Sequence, residues 1–135
     1  MVLVAILLSV STATLAALHL AWAFELWLPY REEPPLVRAV VGIKNAERMP
    51  GAIPCGLISG GLLLAAIVPW WPGLGWLGDL VAVCAAMTFL GRGAMAYLPS
   101  WRRIASVEPF KTLDRRVYGP VALALGLGYL AVALT

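Results

Sequence analysis

Four apolar runs separated by polar loops set the pattern of this chain. They extend from Val2 to about Leu28, Pro50 to Pro69, Leu74 to Leu98, and Tyr118 to Leu134. A helix that crosses a ~30 Å hydrocarbon core needs about 20 mainly apolar residues, with a usual range of about 17–25. The runs are continuously apolar and do not alternate at every second position, so they predict helices rather than barrel strands. The expected fold is all-α: one domain over residues 1–135, a four-helix transmembrane bundle. In the first loop Pro34 and Pro35 suit a first helical turn. Leu36, Val37, Val40 and Val41 then share one helical face, away from Arg38, Asn45 and Arg48. This predicts a short amphipathic segment at the membrane interface.

Composition agrees with lipid as the solvent. Apolar residues make up 61% and charged residues 13%, against about 45–50% and about 25% in soluble domains. The first run lacks a basic leader and exceeds the about 7–15 apolar residues of a signal peptide, so it reads as a span. The charges are bunched, and their placement orients the bundle. The first loop carries Arg31, Arg38, Lys44 and Arg48, and the third carries Arg102, Arg103, Lys111, Arg115 and Arg116. The N-terminus, the turn Trp70–Gly73 and the C-terminus carry none. Under the positive-inside rule both basic loops face the cytoplasm and both termini the outside. The expected location is a bacterial cytoplasmic membrane, with periplasmic termini.

The net charge of +3 therefore reports orientation. It does not predict nucleic-acid binding, which spreads Lys and Arg along a face that tracks phosphates. Trp70, Trp71 and Trp76 predict an aromatic belt at the outer surface, and Trp101 and Phe110 sit among arginines as headgroup-layer residues do. Cys55 and Cys84 fall at different depths of apolar spans and are expected to remain unpaired.

Ionisable groups within a span are costly and become functional candidates. Here they are His19, with Trp22 on the same face, and Glu25, Asp79 and Arg92. His19 lies near mid-membrane, where neither end is within reach, and is expected to bond to another helix or else to bind a ligand or handle a proton. Glu25 and Arg92 fall at similar depth near the cytoplasmic side and are expected to pair across the first and third spans. Asp79, close to the outer end, can reach water. One histidine and two separated cysteines make no metal set, and no metal or other cofactor is expected. No catalytic constellation stands out, so no catalytic residue is assigned. Small residues mark helix contacts: Gly56 and Gly60 in the second span, Ala122 and Gly126 in the fourth.

Three segments carry a resemblance. They are His19-Leu20-Ala21-Trp22-Ala23, Phe89-Leu90-x-Arg92, and Phe110-x-x-Leu113-Asp114-x-x-x-Tyr118-x-Pro120. Together they resemble a widespread bacterial family of small four-span membrane proteins of unknown function. The resemblance implies the fold and topology but no activity. Members of that family usually follow Trp-Ala with two glycines, where this chain has Phe24-Glu25.

A second likeness is to the membrane-bound glutathione transferases of eicosanoid and glutathione metabolism, which are also four-span chains of this size. Their first loop carries an Arg, an Asn, a Glu and a Pro, and the first three bind the thiol. Arg38, Asn45, Glu47 and Pro50 look similar, although Asn and Glu are two apart here and three apart in that family. This likeness implies a thiol-anion site at Arg38, Asn45 and Glu47. Small multidrug exporters share the span count but need a mid-membrane carboxylate in the first span, and Glu25 is too near the surface.

The leading expectation is a non-enzymatic inner-membrane protein, an accessory subunit of a larger complex or a lipid-binding helper. Its partners would be the bilayer and a membrane protein or a second copy. The alternative is a glutathione-type transferase acting on lipophilic substrates.

Overall fold

The computed structural model describes Met1–Thr135, and every regular element in it is helical. In chain order these are α1 (Val2–Ala23), α2 (Glu33–Val40), α3 (Ala52–Ile67), α4 (Trp76–Met95), α5 (Pro99–Ile104), α6 (Phe110–Leu113) and α7 (Gly119–Leu134). A 3-10 turn at Val68–Trp70 extends α3, and a π-helical turn at Asp114–Tyr118 joins α6 to α7. Four helical stretches are long and apolar enough to cross a membrane: Val2–Ala23, Ala52–Trp70, Trp76–Met95 and Phe110–Leu134. The chain is thus a multi-pass membrane protein.

Two ends of spans differ from the sequence expectation. The first span is helical only to Ala23, because Glu25 takes a left-handed conformation at φ 61°. The Glu25 N–H then donates to the Trp22 carbonyl and the Leu26 N–H to that of Ala21. That is the double-bonded helix stop that glycine usually provides. A residue with a Cβ there costs about 1–2 kcal/mol. The fourth span begins earlier than expected, at Phe110, so Lys111, Arg115 and Arg116 ride on the helix itself. Pro120 explains the π turn, since it offers no N–H to Arg116. The register slips, and the Gly119 N–H donates five residues back to Asp114. A Cβ on Gly119 would lie 2.8 Å from that same carbonyl oxygen, so glycine suits the narrowed turn.

The spans pack as two antiparallel pairs. In the first, the Ser9 hydroxyl donates to the Ala66 carbonyl and the Ser59 hydroxyl to that of Ala16, tying α1 to α3 at two levels. In the second, α4 and α7 touch through small residues. A Cβ at Gly93 would meet Leu123 at 2.6 Å, and one at Gly126 would meet Leu90 at 2.6 Å. Ala122 is buried in the same seam. Close backbone approach of this kind replaces the hydrophobic drive that lipid removes.

Tyr129 links the pairs. It is fully buried in a core to which every span contributes: Leu8, Ala65, Ala86 and Leu125. Its hydroxyl donates to the Ala65 carbonyl at 2.9 Å and lies 3.2 Å from the Thr12 hydroxyl, which itself donates to Leu8. Phe89 stacks on its ring at 5.9 Å.

At the basic end the two loops clasp each other. The Lys44 N–H donates to Ile104, and the Val107 N–H donates to Gly42. Gly42 sits at φ +62°, and any Cβ there would run into Phe110. The α2 helix forms as its prolines predict, and its apolar side packs onto protein. Leu36 and Val37 are buried with Trp22, Met49 and Cys55. At the opposite end Trp70, Trp71 and Trp76 are all exposed, and the Trp70 indole donates to Ser9. Both cysteines are free thiols.

Candidate functional site

The most developed polar cluster lies where α4 runs into the basic loops. Arg92 comes from the last turns of α4, Trp101 from α5, and Phe110, Asp114 and Tyr118 from the start of the fourth span. Phe110, Asp114 and Tyr118 are four residues apart, a spacing that places helical side chains on neighbouring turns of one face. Pro99 begins α5 and turns Trp101 back over this face.

Asp114 is the centre. One carboxylate oxygen takes the Arg92 guanidinium at 2.5 Å, and the other accepts the Trp101 indole N–H at 3.0 Å. The Asp114 side chain is 5% exposed and that of Arg92 32%. The guanidinium carbon lies 6.0 Å from the centroids of both Trp101 and Phe110, within cation–π range. Trp101 meets Phe110 edge-on at 6.4 Å, and Phe110 meets Tyr118 at 5.7 Å. The Tyr118 hydroxyl donates to the Ala39 carbonyl at the end of α2, so the cluster reaches the first loop. Arg92 Nη1 is buried without a partner.

This arrangement corrects the expected pairing of Arg92 with Glu25. The Arg92–Asp114 contact is the one salt bridge in the chain, and Glu25 is exposed beyond the end of α1. The reason is geometric. The early start of the fourth span carries Asp114 to the depth of Arg92, while the left-handed stop turns Glu25 out of the bundle. A buried carboxylate that holds a half-buried guanidinium and an indole N–H at once fixes their geometry, and here the three join α4, α5 and the fourth span.

The other candidates are dispersed. His19 bonds within its own helix rather than to another. Its Nδ1 lies 2.8 Å from the Leu15 carbonyl. A carbonyl only accepts, so Nδ1 carries a proton and donates it. The imidazole leans on Trp22 at 4.8 Å. Trp22 is buried and its N–H donates to Leu28, drawing the following loop back under the helix. Asp79 is exposed in the first turn of α4, where a negative charge suits the helix dipole. The small residues divide into two groups. Ala122 and Gly126 lie inside the α4–α7 seam, whereas a Cβ at Gly56 or Gly60 would meet nothing within 4 Å. Gly126 thus belongs to an internal contact and not to an exposed face.

Arg38, Asn45 and Glu47 line one open groove of about 400 Å³ with Pro34, Ile43 and Val107. The groove exists because α2 and the clasped loops form its two walls.

Four membrane-spanning helices closed at one end by a welded pair of basic loops define a compact multi-pass bundle with no strand. Within that class, the family model for proteins of unknown function (DUF3995) matches residues 12–129, and the chain belongs to this family. No curated protein and no solved structure matches it.

Proposed function

We propose that this family member is a non-enzymatic accessory protein of the bacterial cytoplasmic membrane, packed sideways against a larger membrane protein or a second copy, or a lipid-binding helper. The observation that carries the reading is the outward notch on α3. Gly56 and Gly60 lie one turn apart with no neighbouring atom where a side chain would begin. A passing helix can approach such a notch closely. Gly93 of α4 and Gly126 and Gly128 of α7 are already filled from within, and Gly91 of α4 is open but has no second open glycine one turn away.

A photo-crosslinking side chain at Leu57, which is 72% exposed beside the notch, should give a discrete protein adduct in native membranes. Gly60→Leu should abolish that adduct and leave the unfolding midpoint in detergent unchanged. Adducts to lipid alone would refute lateral docking.

The basic end belongs on the cytoplasmic side in this reading, with nine Lys and Arg residues in and beside its loops against none at the other end. Reporter fusions check it. Alkaline phosphatase should be active after Thr135 and a fluorescent protein should mature in the loop at Ser106. Periplasmic activity at Ser106 would invert the topology.

The groove shared by Arg38, Asn45 and Glu47 favours a second reading, a glutathione-type transferase. Calorimetry decides between the two. Micromolar glutathione binding abolished by Arg38→Ala would replace the accessory reading, whereas Arg38→Ala without effect on a chain that ignores glutathione agrees with it.

A further inference from the structure

A second groove lies between the end of α1 and the start of α3, lined by Trp22, Glu25, Trp27, Glu33, Arg48 and Gly51 among others. Its level is set by its walls. The first span leaves the apolar zone at Ala23 and the next enters at Ala52. Phe24, Leu26 and Leu28 around it are exposed, so its rim lies among lipid acyl chains and headgroups.

The chemistry around this groove is divided. Two carboxylates, Glu25 and Glu33, stand with one guanidinium, Arg48, and no salt bridge joins them. Glu33 is held in place because its Oε1 accepts the Met49 N–H at 3.0 Å, which leaves its other oxygen free. The N–H of Trp22 is committed to Leu28, so that indole offers the groove its ring and not its donor. At the far side α3 begins at Ala52, after Gly51, without a side-chain cap, and since Pro54 has no N–H its first turn leaves the Ala52 and Ile53 N–H groups without a helical partner near Arg48. Glu25 reaches its place only through a left-handed backbone that a glycine would adopt without strain.

We propose that this groove binds the headgroup of a zwitterionic aminophospholipid, with its ammonium toward Glu25 and Glu33 and its phosphate toward Arg48 and the start of α3. Carboxylates and indole faces attract an ammonium. A guanidinium and uncapped helix N–H groups attract a phosphate. An anionic lipid without the ammonium would meet two carboxylates with nothing to balance them. The site rests on the reading of the chain as a membrane-embedded accessory or lipid-binding protein, but not on the α3 notch. Failure of lateral docking at Gly60 leaves it standing, and its own failure leaves the notch intact.

The test is native mass spectrometry of the purified full chain. It is titrated with phosphatidylethanolamine, with phosphatidylglycerol of the same acyl chains, and with soluble phosphoethanolamine. One phosphatidylethanolamine should be retained about tenfold more tightly than phosphatidylglycerol, and Glu25→Gln and Arg48→Gln should each weaken it about tenfold, the scale of one charge-assisted hydrogen bond. Glu25→Gly is the discriminating variant, because it removes the carboxylate and the backbone strain together. It should raise the unfolding midpoint while losing the lipid. Equal retention of the two lipids, or a Glu25→Gln chain that holds phosphatidylethanolamine like the wild type, would overturn the proposal. Phosphoethanolamine binding as tightly as the lipid would overturn the assignment to a lipid.

Discussion

Replacing Asp114 by alanine removes two bonds at once, one to the Arg92 guanidinium and one to the Trp101 indole. The Trp101 N–H is left without its acceptor, at about 1–3 kcal/mol when buried. Breaking a buried ion pair from one side costs about 3–5 kcal/mol. Arg92 is 32% exposed and has a long stem, so part of that cost is relieved as its head swings toward the headgroups. The expected net loss for Asp114→Ala is about 2–4 kcal/mol. Arg92→Ala leaves the 5% exposed Asp114 with no such escape and should fall at the upper end, about 3–5 kcal/mol. Asp114→Asn keeps an acceptor of the same shape and should lose about 1–2 kcal/mol. The pair Arg92→Met with Asp114→Leu removes both charges and should recover the part of the loss due to an uncompensated charge, while the Trp101 N–H stays without its acceptor. Unfolding by SDS in mixed micelles, followed by tryptophan fluorescence, reads each variant and closes the double-mutant cycle. Single-alanine effects that add within about 0.5 kcal/mol would show that the two side chains do not act together. An Asp114→Ala chain as stable as the wild type would remove Asp114 from the centre of the cluster.

Two other positions test how the halves are joined. Gly42→Ala forces a Cβ into the left-handed region and into the Phe110 ring, so about 2–4 kcal/mol should be lost in the same unfolding assay. An unchanged midpoint would show that the clasp of the two loops does not hold the bundle. Tyr129→Phe deletes the hydroxyl that donates to Ala65 and lies beside Thr12, while keeping the ring on Phe89. The expected loss is about 0.6–1.7 kcal/mol, between the average and the maximum for interhelical hydrogen bonds in lipid. A loss well above that range would mean that the phenol carries more than these bonds.

The four spans were legible because length and apolarity are local properties, and a bilayer offers helices almost the only way to satisfy a buried backbone. The short α2 was legible for a similar reason, since Pro34, Pro35 and the Leu36–Val37–Val40–Val41 face all lie within one segment. The partner of Arg92 was not. Counting depth from helix rise placed Glu25 opposite it, and two backbone events decided otherwise. One is the left-handed stop at Glu25, which depends on how Trp22 and Leu28 pack beneath α1. The other is the early start of the fourth span with its π turn at Pro120, which brings Asp114 inside. A signal for Asp114 did exist in the four-residue spacing of Phe110, Asp114 and Tyr118, but it becomes readable only once that stretch is known to be helical.

The small residues show the same division. Gly56, Gly60, Ala122 and Gly126 all follow a spacing that permits close contact, and nothing local distinguishes an inner seam from an outer notch. Only the docking of α4 on α7 fills Gly126, and only the docking of α3 on α1 through Ser59 leaves Gly60 bare. Arg38, Asn45 and Glu47 likewise share a groove because the two basic loops meet across Gly42 and Val107. Helix formation in lipid follows from each segment's own residues, whereas the choice of which faces meet depends on contacts between segments far apart in the chain.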